Sequence, residues 1–391
     1  MSDVNVSMKA WRAPSAQAVG RVDFTITTVE KTYDVYISGA ALQAPQGLET
    51  GACLALLAAM RTGSTLHVDG CLSDDFYQGL LRYQRRFSEA FPAFKVVDVK
   101  VKGLYAIPTP SKSQRCASFF SGGVDSMYTL LKAPSVITDI VTIHGFDVRL
   151  DDLSRREAVD RMASAVADAT GTRYLPVESN FGKVLQDFGS WPQHAHGLAL
   201  IAVARMLSGY VDEVRIPSSF SIAEQKPWGS WLATDPLLSD KRLAIVHDAC
   251  EARRMDKIRF LAHAPIALEH LRVCWEREDG ALNCCKCEKC LRTMTSLAIL
   301  GVLDQATSFP QSLSLSSVSD VCLPRHGLRM FARENLQLLH DAGHHWPALE
   351  KALNTQLHRP IWWSRLRLKW GKRKRRLARQ VNSLGRWRSR A

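Results

Sequence analysis

The chain has 391 residues, 46% hydrophobic and 23% charged, an ordinary composition for a globular protein with room for two or three domains. Its net charge of +13 comes from the end of the chain, because residues 358–391 hold 13 Lys and Arg and no acid, whereas the remainder carries 38 charges of each sign. Without an apolar run of signal-peptide or membrane-spanning length, we expect a cytoplasmic protein whose basic character lies in a tail.

The first part of the chain predicts a small α/β domain. Residues 1–20 show no periodicity and are predicted to be a loose N-terminal segment. Residues 21–110 alternate between patterns typical of strands and helices. The predicted strands are 22–29, 33–38, 65–70 and 94–101, with one helix near 51–60 and another that begins after Ser73 and stops at Pro92. We find no catalytic group of residues here, and the Pro-containing residues 107–111 predict a linker.

Strand and helix patterns alternate regularly from Cys116 onward, as a parallel sheet requires. We therefore predict an α/β domain over residues 114–301. Residues 241–300 are predicted to be helical around a cluster of cysteines, and residues 302–357 to form further helices or loops. The basic tail of residues 358–391 completes the predicted organisation.

The stretch "ASFFSGGVDSMYTLL" places a glycine turn between a predicted strand and a predicted helix. This geometry directs backbone N–H groups at an anion, and the glycines allow a phosphate to approach closely. Lysine is absent, so this is not the phosphate loop of ordinary nucleotide hydrolases. Asp125 could hold Mg²⁺ on the phosphates. The candidate nucleotide-binding residues are Ser121, Gly122, Gly123, Val124, Asp125 and Ser126.

The string "SGGVDS" of residues 121–126 resembles the signature of the PP-loop ATP pyrophosphatases. The resemblance implies a Rossmann-like sheet of about five parallel strands, the fold of the adenine nucleotide alpha hydrolases, and binding of ATP and Mg²⁺. It also implies that the loop grips the departing pyrophosphate while a nucleophile attacks the α-phosphate. On this view Asp125 and Ser126 are catalytic residues.

Five of the ten cysteines lie in the stretch "CWEREDGALNCCKCEKC". Cys274, Cys284, Cys287 and Cys290 have the spacing C-x9-C-x2-C-x2-C, which suits tetrahedral Zn²⁺, and Cys285 is predicted to be a spectator. An iron–sulfur cluster is the alternative, although the proline that commonly follows the last cysteine of such runs is missing. Four sulfur ligands leave no open position, so a zinc ion would be structural.

Together the loop and the cysteine run resemble the 7-cyano-7-deazaguanine synthases, over roughly residues 116–301. The resemblance implies an enzyme that adenylates a carboxylate with ATP and lets ammonia displace AMP. Between the two motifs this chain departs from those enzymes, notably in "IHGFDVRLDD", "QHAHG" and "SSFSIAEQKPWGSWLATDPLLS". We therefore expect the same chemistry on a different substrate.

Three further sets of polar residues have two interpretations each. His144 follows a predicted strand and either contacts ATP or belongs to a polar loop that caps the next helix. Lys226 either neutralises charge on the α-phosphate, as a catalytic residue, or lies in a surface loop beside packed tryptophans. Arg253, Arg254 and Lys257 form a basic helical face that we interpret as solvated, with phosphate binding as the alternative.

The tail mixes arginines with tryptophans, a composition that suits the surface of an anionic membrane and also RNA. We rank a membrane surface, at the inner face of the membrane, or no specific contact, above nucleic acid.

Three functions follow from these features. The leading prediction is an ATP-dependent ligase that adenylates a small-molecule or peptide carboxylate for displacement by ammonia or an amine. A tRNA-thiolating enzyme of the same superfamily is the first alternative, with the basic tail on RNA. The second alternative is a non-catalytic nucleotide-binding subunit of a biosynthetic or defence assembly.

Overall fold

A computed structural model describes residues 3–108, 112–276, 280–370 and 373, so part of the predicted linker and most of the last 21 residues lie outside the described residues. The described chain divides into two compact units, one reaching from the N-terminus to Lys257 and including residues 280–281, the other containing the remaining residues. The strands are β1 (Asp3–Arg12), β2 (Gly20–Thr27), β3 (Thr32–Gly39), β4 (Thr65–Ser73), β5 (Val99–Tyr105), β6 (Cys116–Phe119), β7 (Asp139–His144), β8 (Arg173–Ser179), β9 (Glu213–Pro217) and β10 (Ala244–Asp248).

Helices cover the sheet and form most of the second unit. The α-helices are α1 (Glu49–Thr62), α2 (Asp74–Ala90), α3 (Val124–Lys132), α4 (Leu153–Thr170), α5 (Phe181–Phe188), α6 (His196–Leu207), α7 (Arg254–Leu261), α8 (Pro265–His270), α9 (Glu288–Ile299), α10 (Leu315–Asp320), α11 (His326–Asp341), α12 (Pro347–His358) and α13 (residues 361–370). None of these helices, in the part of the chain that the structure describes, is long and apolar enough to cross a membrane.

The first unit is an α/β structure built on one ten-stranded, mostly parallel sheet. Its strand order is β10-β9-β6-β7-β8-β3-β2-β1-β4-β5. The first five strands of that order are all parallel to their neighbours, and β8 joins β3 in an antiparallel pair. The sheet is therefore larger than the five-stranded one that the resemblance implies, but it contains five contiguous parallel strands.

The strand order reverses within the parallel half of the sheet. From β6 the chain passes outward through β7 to β8, then returns to place β9 on the other side of β6, with β10 outside it. At such a reversal the connections from two neighbouring strands generally leave toward opposite faces of the sheet. In open α/β sheets this point of reversal is where ligands bind.

Three predictions about the elements were wrong. Residues 3–12 are not a loose segment but strand β1, in which alternating Val4 and Val6 are buried between β2 and β4. Residues 244–248 are not helical, because β10 pairs in parallel with β9. A strand was predicted over residues 94–101, yet β5 begins only at Val99. The residues before it belong to a loop in which Phe94 packs against the ring of Phe87.

Two buried helices stabilise the first unit. Twelve of the 14 residues of α1 are buried, and α6 is buried along most of its length. The two helices pack together, and the hydroxyl of Thr50 donates to the carbonyl of Ala202. Helices that are apolar all round must lie inside a protein, so these segments act as core of the sheet layer rather than as surface cover.

Candidate functional site: a glycine loop beside a buried lysine, and a four-cysteine cluster

The glycine turn lies at the strand reversal, between the end of β6 and the start of α3. Gly122 has φ +73°, in the left-handed region that residues with a side chain rarely adopt, so glycine is favoured there. Gly123 is the N-cap of α3 with φ −76° and ψ 166°, which any residue can adopt. The predicted strand, turn and helix are thus confirmed over residues 116–132.

Two serines hold the turn in shape. The Oγ of Ser126 accepts from the Ser121 N–H at 3.2 Å and donates to the carbonyl of Gly123 at 3.1 Å. The Oγ of Ser121 accepts from the N–H of Gly123 at 3.3 Å. The first helical hydrogen bond runs from Met127 N to the Gly123 carbonyl at 2.9 Å. The N–H groups of residues 124–126 therefore have no acceptor within the helix. These groups and the helix dipole favour an anion at this end of α3.

Asp125 points toward groups contributed by later parts of the first unit. Its Oδ2 accepts from the hydroxyl of Ser219 at 3.1 Å, in the segment that leaves β9. The ammonium of Lys257 lies 3.5 Å from Oδ1, and the guanidinium of Arg254 lies 3.9 Å from Oδ2. Within the described chain, the buried Oδ1 has no hydrogen-bond partner.

Lys257 is an unexpected member of this site, because its side chain is fully buried. Its Nζ donates to the carbonyl of Ser218 at 2.6 Å, immediately beyond β9. A buried ammonium costs free energy unless charged and hydrogen-bonding partners surround it, and Asp125 and this carbonyl supply both. The interpretation of Arg254 and Lys257 as a solvated face was therefore wrong, since their side chains are 11% and 0% exposed.

A buried chain of hydrogen bonds fixes the backbone that anchors Lys257. Asp235 Oδ2 lies 2.9 Å from Nδ1 of His247, and Nε2 of the same ring lies 3.1 Å from the hydroxyl of Ser218. Gln225 donates to that hydroxyl as well, at 3.3 Å. The members are far apart in sequence, and only the pairing of β9 with β10 brings Ser218 to His247. Sequence patterns therefore contained no signal for this chain.

His144 lies at the carboxyl end of β7, next to β6, and its ring contacts the carboxylate of Asp160. Its Nε2 lies 2.7 Å from Oδ1 of Asp160 on α4, and the side chain is 3% exposed. The phenol of Tyr174 also donates to Asp160. His144 is thus held by α4 and β8. A contact with a nucleotide stays a prediction.

Lys226 lies on the segment that follows β9 and is exposed. Its ammonium is 4.2 Å from the centre of the Phe220 ring and 5.7 Å from that of Trp228. These cation–π contacts hold it at the surface of a loop whose Ser219 reaches Asp125. The packed aromatic surroundings that the sequence indicated are present, and the catalytic assignment of Lys226 stays a prediction.

The second unit holds the four-cysteine cluster predicted from the spacing. The sulfur atoms of Cys274, Cys284, Cys287 and Cys290 all lie within 4.8 Å of one another, so they can hold a metal ion. The Cys284–Cys290 and Cys287–Cys274 sulfur distances are 3.9 and 3.8 Å. Four sulfurs at about 2.3 Å from one tetrahedral ion would be separated by about 3.8 Å. The cage therefore has the size of a single ion, whereas a cluster of irons and sulfides needs a wider one.

Backbone N–H groups point at the sulfurs, as they do in metal-binding knuckles. Cys284 accepts from the N–H of Cys287 at 3.3 Å, and Cys287, the N-cap of α9, accepts from that of Cys290 at 3.5 Å. Such bonds stabilise thiolates, the form that binds metal.

Cys285 lies outside the group of four, as predicted, and burial raises its pKa. The neighbouring Asn283 is buried and fixes the cluster's surroundings. Its amide donates to the carbonyls of Leu271 and Ser308 at 2.7 and 3.0 Å, and its Oδ1 accepts from Val273 N at 2.9 Å. The cysteines therefore sit on a backbone held by three hydrogen bonds to a single side chain.

No family model matches the chain, and no curated protein or solved structure is detectably similar to it.

Proposed function

We propose that the protein is an ATP-dependent ligase that adenylates a carboxylate, releases pyrophosphate, and lets ammonia or an amine displace AMP. The observation that carries the proposal is the position of the "SGGVDS" turn. It lies at the strand reversal, at the N-terminus of α3, with buried Lys257 beside Asp125. A Rossmann-like fold of the PP-loop type is part of the proposal, supported by the five parallel strands.

In this proposal the turn holds the β- and γ-phosphates. The N–H groups of residues 124–126 and the hydroxyl of Ser121 donate to phosphate oxygens, and the dipole of α3 favours the phosphate charge. The hydroxyl of Ser126 keeps its hydrogen bond to the carbonyl of Gly123 and so holds the turn in shape. The two serine hydroxyls already shape the turn through mutual contacts, so the loop is arranged before ATP arrives. Such a preorganised anion site stabilises a departing pyrophosphate without rearrangement.

Lys257 and Arg254 supply positive charge where the scissile bond would lie. Their cationic groups lie within 4 Å of Asp125, so the carboxylate orients both of them. Charge that develops on the bridging oxygen during attack at the α-phosphate is then stabilised by fixed cations, which is the usual role of Lys and Arg in phosphoryl chemistry. This assigns to Lys257 the task that the sequence suggested for Lys226.

Magnesium fits this site through Asp125. Its buried Oδ1 lacks a hydrogen-bond partner among the described residues, and carboxylate oxygens are the ligands that Mg²⁺ prefers. Bound to the phosphates, the ion would neutralise their charge and activate the α-phosphate. The protein's own part is to orient the polyphosphate through the turn and to keep Lys257 in place through Ser218 and His247.

Zinc is the metal that we propose for the four cysteines. All four ligands are sulfur and the cage fits one ion, so the ion is structural and stabilises the second unit. It takes no part in adenylation.

The test is to incubate the full-length protein with ATP, Mg²⁺, ammonium and a panel of carboxylic acids, and to separate the nucleotide products. We expect AMP and pyrophosphate in the presence of one class of acid, and their loss in Asp125→Asn. Formation of ADP and phosphate instead would overturn the proposal. Asp69→Asn is a matched control, because Asp69 is 58% exposed and pairs with Lys102 on the surface.

A further inference from the structure

The last described helix, α13, presents an apolar stripe to solvent. Trp362, Leu366 and Trp370 are spaced by four residues and therefore lie on one face of the helix. They are 65%, 44% and 65% exposed. Ser364, about half a turn away, is buried and marks the face by which the start of α13 packs on the second unit, whereas residues 365–370 are all exposed. The stripe thus points away from the protein, where large aromatic side chains are costly to leave in water.

Arginines hold α13 in this orientation. Arg367 pairs with Asp320 at 3.1 Å, and Arg365 donates to the carbonyl of Pro324 at 3.0 Å. Just before the helix, Arg359 donates to the carbonyls of Ser319 and Val321 at 2.8 and 2.7 Å. These arginine contacts attach α13 to the second unit. Its tryptophans are therefore exposed on a helix that is attached to the protein.

The charged residues of α13 itself are all positive. Arg365, Arg367 and Lys369 alternate with the apolar residues of α13. The residues that follow, 371–391, of which the structure describes only residue 373, carry nine further Lys and Arg and no acid. An outward face of tryptophan and leucine flanked by cations matches the layered polarity of an anionic lipid surface. Tryptophan seats at the headgroup level, leucine reaches the acyl chains, and the cations meet the lipid phosphates.

We propose that α13 and the basic residues after it bind the protein to the surface of an anionic membrane. The Trp362–Leu366–Trp370 stripe inserts into the interface and the flanking Lys and Arg bind the headgroups. The contact is peripheral and reversible, because a short apolar stripe and a basic segment each contribute only weakly to membrane affinity. Even together they bind far less firmly than a membrane-spanning helix. This inference does not depend on the proposed adenylation.

The experiment is cosedimentation of the full-length protein with vesicles of phosphatidylcholine alone and of phosphatidylcholine with phosphatidylglycerol. We expect binding to the anionic vesicles that weakens as salt rises, and little binding to the neutral ones. The triple variant Trp362→Ala/Leu366→Ala/Trp370→Ala should lower the partition coefficient by about tenfold or more. Its circular dichroism and melting temperature should match those of the parent.

Leu368→Ala is the matched control, because Leu368 is an exposed leucine of the same helix (41%) that lies off the stripe. Its vesicle binding should equal that of the parent. Equal binding of the triple variant and the parent would overturn the proposed stripe. Failure of the parent to bind anionic vesicles, or binding to RNA that vesicles do not compete, would overturn the membrane as partner.

Discussion

The ammonium of Lys257 lies 3.5 Å from Oδ1 of Asp125, and both side chains are held inside the first unit. One comes from the first turn of α3 and the other from α7, 132 positions later, after β10. The glycine turn, which alone indicates only an anion site, therefore faces a fixed cation. The proposed use of the turn for phosphate chemistry rests on this pairing. Variants that remove one or both members of the pair can therefore distinguish an effect on catalysis from an effect on folding.

Asp125→Asn should both destabilise the protein and abolish formation of AMP. It leaves the buried ammonium of Lys257 without its carboxylate, which costs about 3–5 kcal/mol. The double variant Asp125→Asn/Lys257→Met removes the stranded charge and should recover much of that free energy of unfolding, measured by chemical denaturation. It should nevertheless form AMP at least about 100-fold more slowly than the parent. An active double variant would remove this pair from the mechanism.

Gly122→Ala should lower the free energy of unfolding by about 1–2 kcal/mol, because φ is +73° there and a Cβ is strained in the left-handed region. Gly123→Ala is the internal control, since φ at Gly123 is −76° and suits alanine. Urea denaturation of both variants gives the comparison. Equal costs for the two substitutions would show that Gly122 does not have a left-handed backbone conformation.

Cys290→Ser should release the metal, and Cys285→Ser should not. Cys290 is one of four sulfurs in a cage sized for a single ion, whereas Cys285 stands outside it. We expect about one zinc ion per chain in the parent and in Cys285→Ser, measured by plasma mass spectrometry. A chelator should lower the melting temperature of both. A brown protein with iron and acid-labile sulfide would contradict the zinc assignment.

Folding stability should fall in acid through Asp240. Burial by itself raises the pKa of this carboxyl, but Arg205 and the N–H groups of Leu243 and Arg242 outweigh it and lower the pKa below its usual value. The stabilisation is therefore fully present above the ordinary pKa of an aspartate and is lost as pH falls toward the lowered value. Unfolding free energies measured between pH 7 and pH 3 should show this loss, and Asp240→Asn should flatten it.

Arg205→Ala should cost about 3–5 kcal/mol at neutral pH, because both side chains of the pair are buried and Asp240 is left without its cation. Glu89→Gln provides the contrast. Its partner Arg86 is half exposed, and an exposed pair contributes about 0–1 kcal/mol. Equal costs for the two substitutions would show that the buried pair is not what holds Asp240 ionised.

Local patterns predicted the parts of the site that are continuous in sequence. The turn at residues 121–126 and the cysteine spacing of residues 274–290 each place their groups through a short stretch of backbone. Lys257 was misread because its helix is charged, and only packing against β9 reveals that it is buried. The contact of His247 with Ser218 depends on the register of β9 with β10, and no periodicity within either strand contains that information.

Two strands, one in the middle of the sheet and one at its edge, also show the difference between what local sequence predicts and what long-range pairing decides. Val4 and Val6 in β1 alternate as a strand should, but they are the only buried residues of this ten-residue strand. Its pairing with β2 and β4, rather than its local pattern, therefore establishes it as a strand. β10 is only five residues long and is flanked by charged segments, so its sequence pattern is compatible with a helix. Its pairing with β9 shows that it is a strand. Long-range pairing, rather than propensity, decides both cases.

The most direct test of adenylation is exchange of labelled pyrophosphate into ATP, with an acid from the active class and without ammonia. Formation of an acyl adenylate is reversible, so attack of pyrophosphate on the adenylate returns ATP that carries the label. We predict label in ATP that depends on the acid and on Mg²⁺ and disappears in Asp125→Asn/Lys257→Met. Acid-dependent consumption of ATP that yields ADP, with no label entering ATP, would contradict the account.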